Sequence, residues 1–113
     1  MLIERPPWFY RKLFPGSVWR LPAEEPCVYI TFDDGPDPTW TPLVLDLLAA
    51  AGASATFFVL GQAATAHPEL IARETGAGHE IGVHNWVHTD VYSADADQLR
   101  ADVDRTIAAI ESA

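Results

Sequence analysis

Two polar clusters in this sequence combine residue types that bind cations and move protons. Thr31-Phe32-Asp33-Asp34-Gly35-Pro36 sets two carboxylates side by side, and His84-Asn85-Trp86-Val87-His88 sets two imidazoles four residues apart. Adjacent carboxylates repel unless a cation or a shared proton compensates. Asp-Asp-Gly-Pro is also good turn chemistry, and alone it signals only a turn. Histidines four apart on a helical turn face the same way, so the spacing predicts such a turn presenting both rings to one cation. Asp34, His84 and His88 together would form a two-histidine, one-carboxylate site with open positions for water. That donor set suits zinc or another divalent transition metal.

The remaining candidates point elsewhere. His67 precedes Pro68 and reads as a surface or capping residue. His79 stands one residue before an expected strand, at the end away from the clusters. Cys27 is the only cysteine, which excludes an intrachain disulfide and a cysteine-based zinc knuckle, and it reads as a small buried apolar residue. Trp86 either lines a sugar groove or covers the loop between the histidines.

The elements that must position these groups follow from pattern. Cys27–Phe32 is apolar, β-branched and aromatic and reads as a buried strand. Thr41 as N-cap, Pro42 at the first helical position and Gly52 past the end frame a helix whose inward face would be Val44, Leu47, Leu48 and Ala51. Ala55–Leu60 reads as a second buried strand closed by Gly61. A helix follows from about Pro68 to Thr75 with Gly76 as its stop. Glu80–Val83 is a third strand. Ser93 would cap a last helix with the stripe Leu99, Val103, Ile107 and Ile110. The order is β-α-β-α-β-loop-α, and it predicts an α/β fold with parallel strands and right-handed crossovers. Both polar clusters then fall at carboxyl ends of strands, where α/β folds gather their functional groups. Three strands are few for a closed α/β domain, so the pattern reads as the first part of something larger.

Composition bounds the function. The chain has 113 residues, 49% hydrophobic, with 7 basic and 16 acidic residues and a net charge of −9. An apolar fraction of that size supports a packed core and argues against disorder. The acidic balance argues against a nucleic-acid partner. Residues 1–26 form a separate aromatic and proline-rich arm with four basic and three acidic groups, whereas residues 27–113 carry three and thirteen. The arm would lie over the outside of the domain or touch a membrane surface weakly. No apolar run approaches a membrane span and no signal peptide is visible, so the default compartment is cytoplasmic.

With these residues in place, the sequence resembles the polysaccharide deacetylase family, the NodB-homology domain of carbohydrate esterase family 4. Thr31–Pro36 is similar to the family's first motif, and Gly78-His79-Glu80-Ile81-Gly82-Val83-His84, continuing to His88, to its second. Ala55-Thr56-Phe57-Phe58 is also family-like, and the similarity runs from about Val28 to Ile110. The resemblance implies the N-terminal part of a distorted (β/α) barrel, incomplete at its C-terminal side. It implies metal-dependent removal of N- or O-acetyl groups from a polysaccharide such as an N-acetylglucosamine-containing glycan. Asp33 would be the catalytic base, while Asp34, His84 and His88 would hold the metal, zinc first and cobalt or another transition metal after it. Asn85 and Thr89 stand where the family often has Ser or Thr and Pro, which is expected to change loop hydrogen bonds and leave the ligands intact. The later motifs, with a base-orienting arginine and a histidine general acid, are not found.

Two further readings were open. A non-catalytic metal- or sugar-binding remnant would keep the ligands without turnover. A phospho-acceptor domain would need an aspartate at the end of the third strand, where Val83 and His84 stand, and is set aside. A chain ending at Ala113 would also be expected to self-associate through open strand edges.

Overall fold

The computed structural model describes residues 7–19, 27–90 and 92–113. The chain order is α1 (Trp8–Leu13), β1 (Thr31–Asp33), α2 (Trp40–Ala51), β2 (Thr56–Leu60), α3 (Gly61–Ala66), α4 (Pro68–Gly76), β3 (Glu80–Asn85) and α5 (Ala96–Glu111). The three strands are parallel in the order β1-β2-β3. This is the expected α/β alternation, with two short helices, α1 and α3, added to it.

The middle strand organises the core. Phe57 and Val59 of β2 are buried, and Phe57 stacks on Phe32 of β1 with ring centroids 5.1 Å apart. Leu45 and Leu48 of α2, Ala64 of α3 and Ile71 of α4 close over them, with Ile81, Ala109 and Ile110 at the margin. Three glycine and histidine details mark the ends of the elements. Gly52 takes the left-handed conformation (φ 61°) that stops α2. His79 is buried at the amino end, where its Nδ1 accepts from the Ala55 amide at 3.3 Å. His67 lies between α3 and α4, with Nδ1 3.4 Å from Glu69 Oε1. His79 therefore lies at the end away from the two polar clusters, as its position in the sequence implied.

Several local expectations are corrected. The first strand is three residues long and mostly exposed, with Val28 at 84% and Cys27 also exposed. Residues 27–30 have no neighbouring strand on their outer side among the described residues, so apolar composition did not translate into burial. The α2 helix begins one residue before the expected cap. The side chain of Asp37 accepts from the Thr39 and Trp40 amides, both at 2.8 Å, and takes the capping role given to Thr41. Its buried face is Thr41, Leu45 and Leu48, while Leu47 and Ala51 point outward. Asp95, not Ser93, caps α5, accepting from the Asp97 amide. The buried residues of α5 are Asp102 and Thr106, with Val103 and Ile107 each 39% exposed.

Helix α1 buries none of its residues. Its Lys12 ammonium sits 5.1 Å over the Trp8 ring, and Trp19 Nε1 donates to the Phe14 carbonyl at 3.2 Å. The rest of the arm, residues 1–6 and 20–26, lies outside the described residues. Among the described residues, no helix is long and apolar enough to cross a membrane.

Candidate metal centre

Parallel pairing brings the two polar clusters to one edge of the sheet. The ladder between β1 and β2 runs Thr31–Thr56, Phe32–Phe57, Asp33–Phe58, and it continues past the end of β1. The Asp34 amide donates to the Phe58 carbonyl at 3.1 Å, and the Leu60 amide donates to the Gly35 carbonyl at 2.9 Å. These bonds hold the Asp-Asp-Gly-Pro turn against β2. Asp34 itself takes a left-handed backbone (φ 77°), a region that Asp tolerates better than most residues. Asp37 then ties the turn to α2, donating its amide to Thr41 Oγ1 at 2.9 Å.

The histidines arrive by a different route from the one their spacing implied. His84 lies in β3, and His88 lies in the irregular segment after it, so no helical turn joins them. A bulge does the aiming. Val59 pairs with Val83 and Leu60 with Asn85, which leaves His84 as an extra residue without a partner in the ladder. Bulges redirect a side chain in this way. Asn85 follows with φ 150°, and its side-chain oxygen is buried with no hydrogen-bond partner among the described residues.

The result is convergent. His84 Nε2 stands 3.1 Å and His88 Nε2 2.7 Å from the same oxygen, Asp34 Oδ1. One ligand atom from each of the three residues lies within 4.8 Å of the others. The rings meet edge to face, with centroids 5.7 Å apart. Metal–nitrogen and metal–oxygen bonds of about 2.1 Å put two tetrahedral ligands roughly 3.4 Å apart, so donors this close fit one divalent ion with modest adjustment. All three side chains are part-exposed, leaving room for water and substrate. Asp33, one residue earlier in β1, is exposed and sits on the strand face opposite Phe32. A cleft of about 320 Å³ adjoins the turn, lined by Asp33, Asp34, Asp37, Trp40 and the edges of Phe32 and Phe57.

The polysaccharide deacetylase family profile matches residues 20–113. The chain belongs to the polysaccharide deacetylase family. Among curated relatives of this deacetylase-family chain, a peptidoglycan-N-acetylglucosamine deacetylase of Bacillus cereus is 44% identical over 85 residues, covering 75% of this chain and 40% of the relative. A chitooligosaccharide deacetylase of Sinorhizobium fredii is 46% identical over 82 residues, covering 73% and 36%. The chain thus spans about two fifths of the length of the relatives it matches. Among solved structures, the peptidoglycan deacetylase PdaC from Bacillus subtilis superposes with a TM-score of 0.72 at 36% identity, covering 74% of this chain and 42% of that one. A family 4 acetyl xylan esterase from Clostridium thermocellum, solved with a cobalt ion, superposes at 0.71 with 39% identity, covering 74% and 41%. The deacetylase fold present here is therefore part of the family's (β/α) barrel, and the family's enzymes are metal-dependent.

Two residues beside the centre had no signal in the sequence. Gly61 opens α3 at the end of β2, and a Cβ there would lie 2.3 Å from the Trp86 ring. Arg105 of α5 reaches across to the same ring, its guanidinium carbon 3.6 Å from the centroid.

Proposed function

We propose that the full-length protein is a zinc-dependent deacetylase that hydrolyses acetyl groups on an N-acetylglucosamine-containing glycan. The observation that carries this reading is the convergence of Asp34 Oδ1, His84 Nε2 and His88 Nε2 next to a second carboxylate, Asp33. In it, Asp34, His84 and His88 hold the ion. When bound, the zinc acidifies a water and polarises the acetyl carbonyl. Asp33 takes the proton from the attacking water at a carboxylate oxygen, which is the task of a general base. Exposure on the open side of the centre lets a sugar chain approach without displacing the ligands. His79 is engaged with the Ala55 amide at the amino end of β2 and His67 pairs with Glu69, so neither is assigned to protonate the leaving amine. The curated relatives named for deacetylation of peptidoglycan and chito-oligosaccharides support the substrate class.

The test is metal content together with acetate release from acetylated chito-oligosaccharides. The wild-type protein is expected to carry one divalent ion per chain, and His84→Ala several-fold less. Equal metal in both would remove the centre. Wild-type metal without acetate release from the full-length protein would favour a binding remnant.

The arm supports a separate, weak contact with an anionic membrane surface. Phe9, Leu13 and Phe14 are exposed beside Arg11 and Lys12, and no acidic residue lies between residues 7 and 19. Each basic residue near such a surface contributes about 1 kcal/mol. Co-sedimentation with anionic vesicles should fall sharply in the Arg11→Glu/Lys12→Glu double variant, and no vesicle binding by the wild type would end this reading.

A further inference from the structure

We propose that Trp86, seated on Gly61 and covered by Arg105, is a positioning residue that fixes the loop carrying His88, and that Arg105 is its clamp. The inference rests on the metal-centre reading above and goes beyond it, because neither residue offers a ligand atom.

His88 needs an external brace. It lies outside any helix or strand, its side chain is 66% exposed, and among the described residues its one side-chain hydrogen bond is with Asp34 Oδ1, beside the edge-to-face contact with His84. Left to loop freedom, such a ring would sample many positions, and ordering it would weaken metal binding by the entropy lost. Trp86, two residues earlier, supplies the anchorage. Its carbonyl accepts from the Gln62 amide at 3.2 Å, which ties the loop backbone to the first turn of α3. Its ring fills the space that a glycine leaves open. A Cβ on Gly61 would meet two Trp86 ring carbons at 2.3 and 2.8 Å and Thr106 Oγ1 at 2.6 Å.

The other side of the seat is equally fixed. Thr106 is fully buried, and its hydroxyl donates to the Asp102 carbonyl at 2.7 Å. The adjacent Arg105 lays its guanidinium over the indole at 3.6 Å, close enough for a cation–π contact. Trp86 is thereby held by α3 below and by α5 above. With a face covered by Arg105, the ring is committed to the loop and is a poor platform for a sugar. The stack and the seat favour the covering role over the sugar groove.

The experiment titrates the purified protein with cobalt and follows both affinity and the visible absorption bands, which report ligand geometry independently of turnover. Supports of metal ligands typically contribute 10–100-fold to affinity, so Trp86→Ala is expected to bind cobalt about 10–100-fold more weakly. Arg105→Ala, on the outer face of α5, should keep its thermal stability, bind about two- to fivefold more weakly and show altered bands. Arg105→Lys should recover part of the loss, since the ammonium keeps the charge but not the planar stack. Wild-type affinity and bands in Arg105→Ala would overturn the proposal whatever Trp86→Ala does. Failure of the underlying centre would look different, with wild type and His84→Ala binding cobalt equally weakly.

Discussion

Asp33→Asn is expected to lower deacetylation by the full-length protein by about 10²–10⁴-fold while leaving its metal in place. The neighbouring change, Asp34→Asn, should release the metal. The distinction follows from where the chain puts two chemically identical side chains. Asp33 is the last residue of β1, paired with Phe58, and it is Asp34, not Asp33, whose carboxylate pairs with the two histidines. Asp34 has left the strand through a left-handed turn, and one of its oxygens faces both His84 and His88. An asparagine at 33 keeps shape and polarity but cannot accept a proton at neutral pH. An asparagine at 34 removes the one negative charge facing the two rings. Metal content and acetate release measured in parallel on both variants check this. The opposite pattern, metal lost from Asp33→Asn and kept in Asp34→Asn, would show that the roles are exchanged.

The second large effect is on stability. Glu74 of α4 is wholly buried, and neither carboxylate oxygen has a hydrogen-bond partner among the described residues. Burial disfavours the charged form and lifts its pKa from the ordinary 4.5 to about 7. The folded protein therefore keeps a proton that the unfolded chain has already lost. Stability is full below about pH 4.5, falls as pH rises toward about 7, and is level above that. At 1.36 kcal/mol for each pH unit of difference, the loss amounts to about 3 kcal/mol. Glu74→Gln cannot ionise and should abolish the slope. Urea unfolding at pH 5 and pH 8 should show the advantage of the glutamine variant growing by about 2–3 kcal/mol. A constant difference at the two pH values would mean that Glu74 ionises in the folded state as readily as in the unfolded one.

The site was legible in the sequence where it depends on residue type and on strand ends, and illegible where it depends on register. That Asp34, His84 and His88 lie together was legible because both polar clusters follow strands expected to be parallel, which puts them at one edge of the sheet. The means of bringing the histidines together was misread. Helical spacing explains two rings four residues apart, but a strand bulge at His84 followed by a loop does the same, and a bulge exists only in relation to β2. Burial was misjudged for a similar reason. Val28, Leu47 and Val103 are as apolar as Val59, yet each faces a side that no described element covers. Glu74 carried no reading from the sequence, and its burial follows only from the face of α4 that Leu70 and Ile71 turn inward. The Trp86–Arg105 stack joins a loop to a helix nineteen residues on, a separation that no periodicity reports.

The bonds that carry the Asp34 turn on β2 also set when the centre can exist. Asp34 and His88 are 54 residues apart in the chain, and neither reaches the other until β3 has paired on the far side of β2. Closing a segment of that length costs roughly 3–4 kcal/mol in chain entropy before any contact compensates. Early in synthesis, therefore, the nascent polypeptide offers a cation the loosely held carboxylates of Asp33 and Asp34 without either imidazole. On the proposed reading, capture of an ion would be a late event, reserved for chains whose sheet is already in register, and it would reward correct pairing over every slipped alternative.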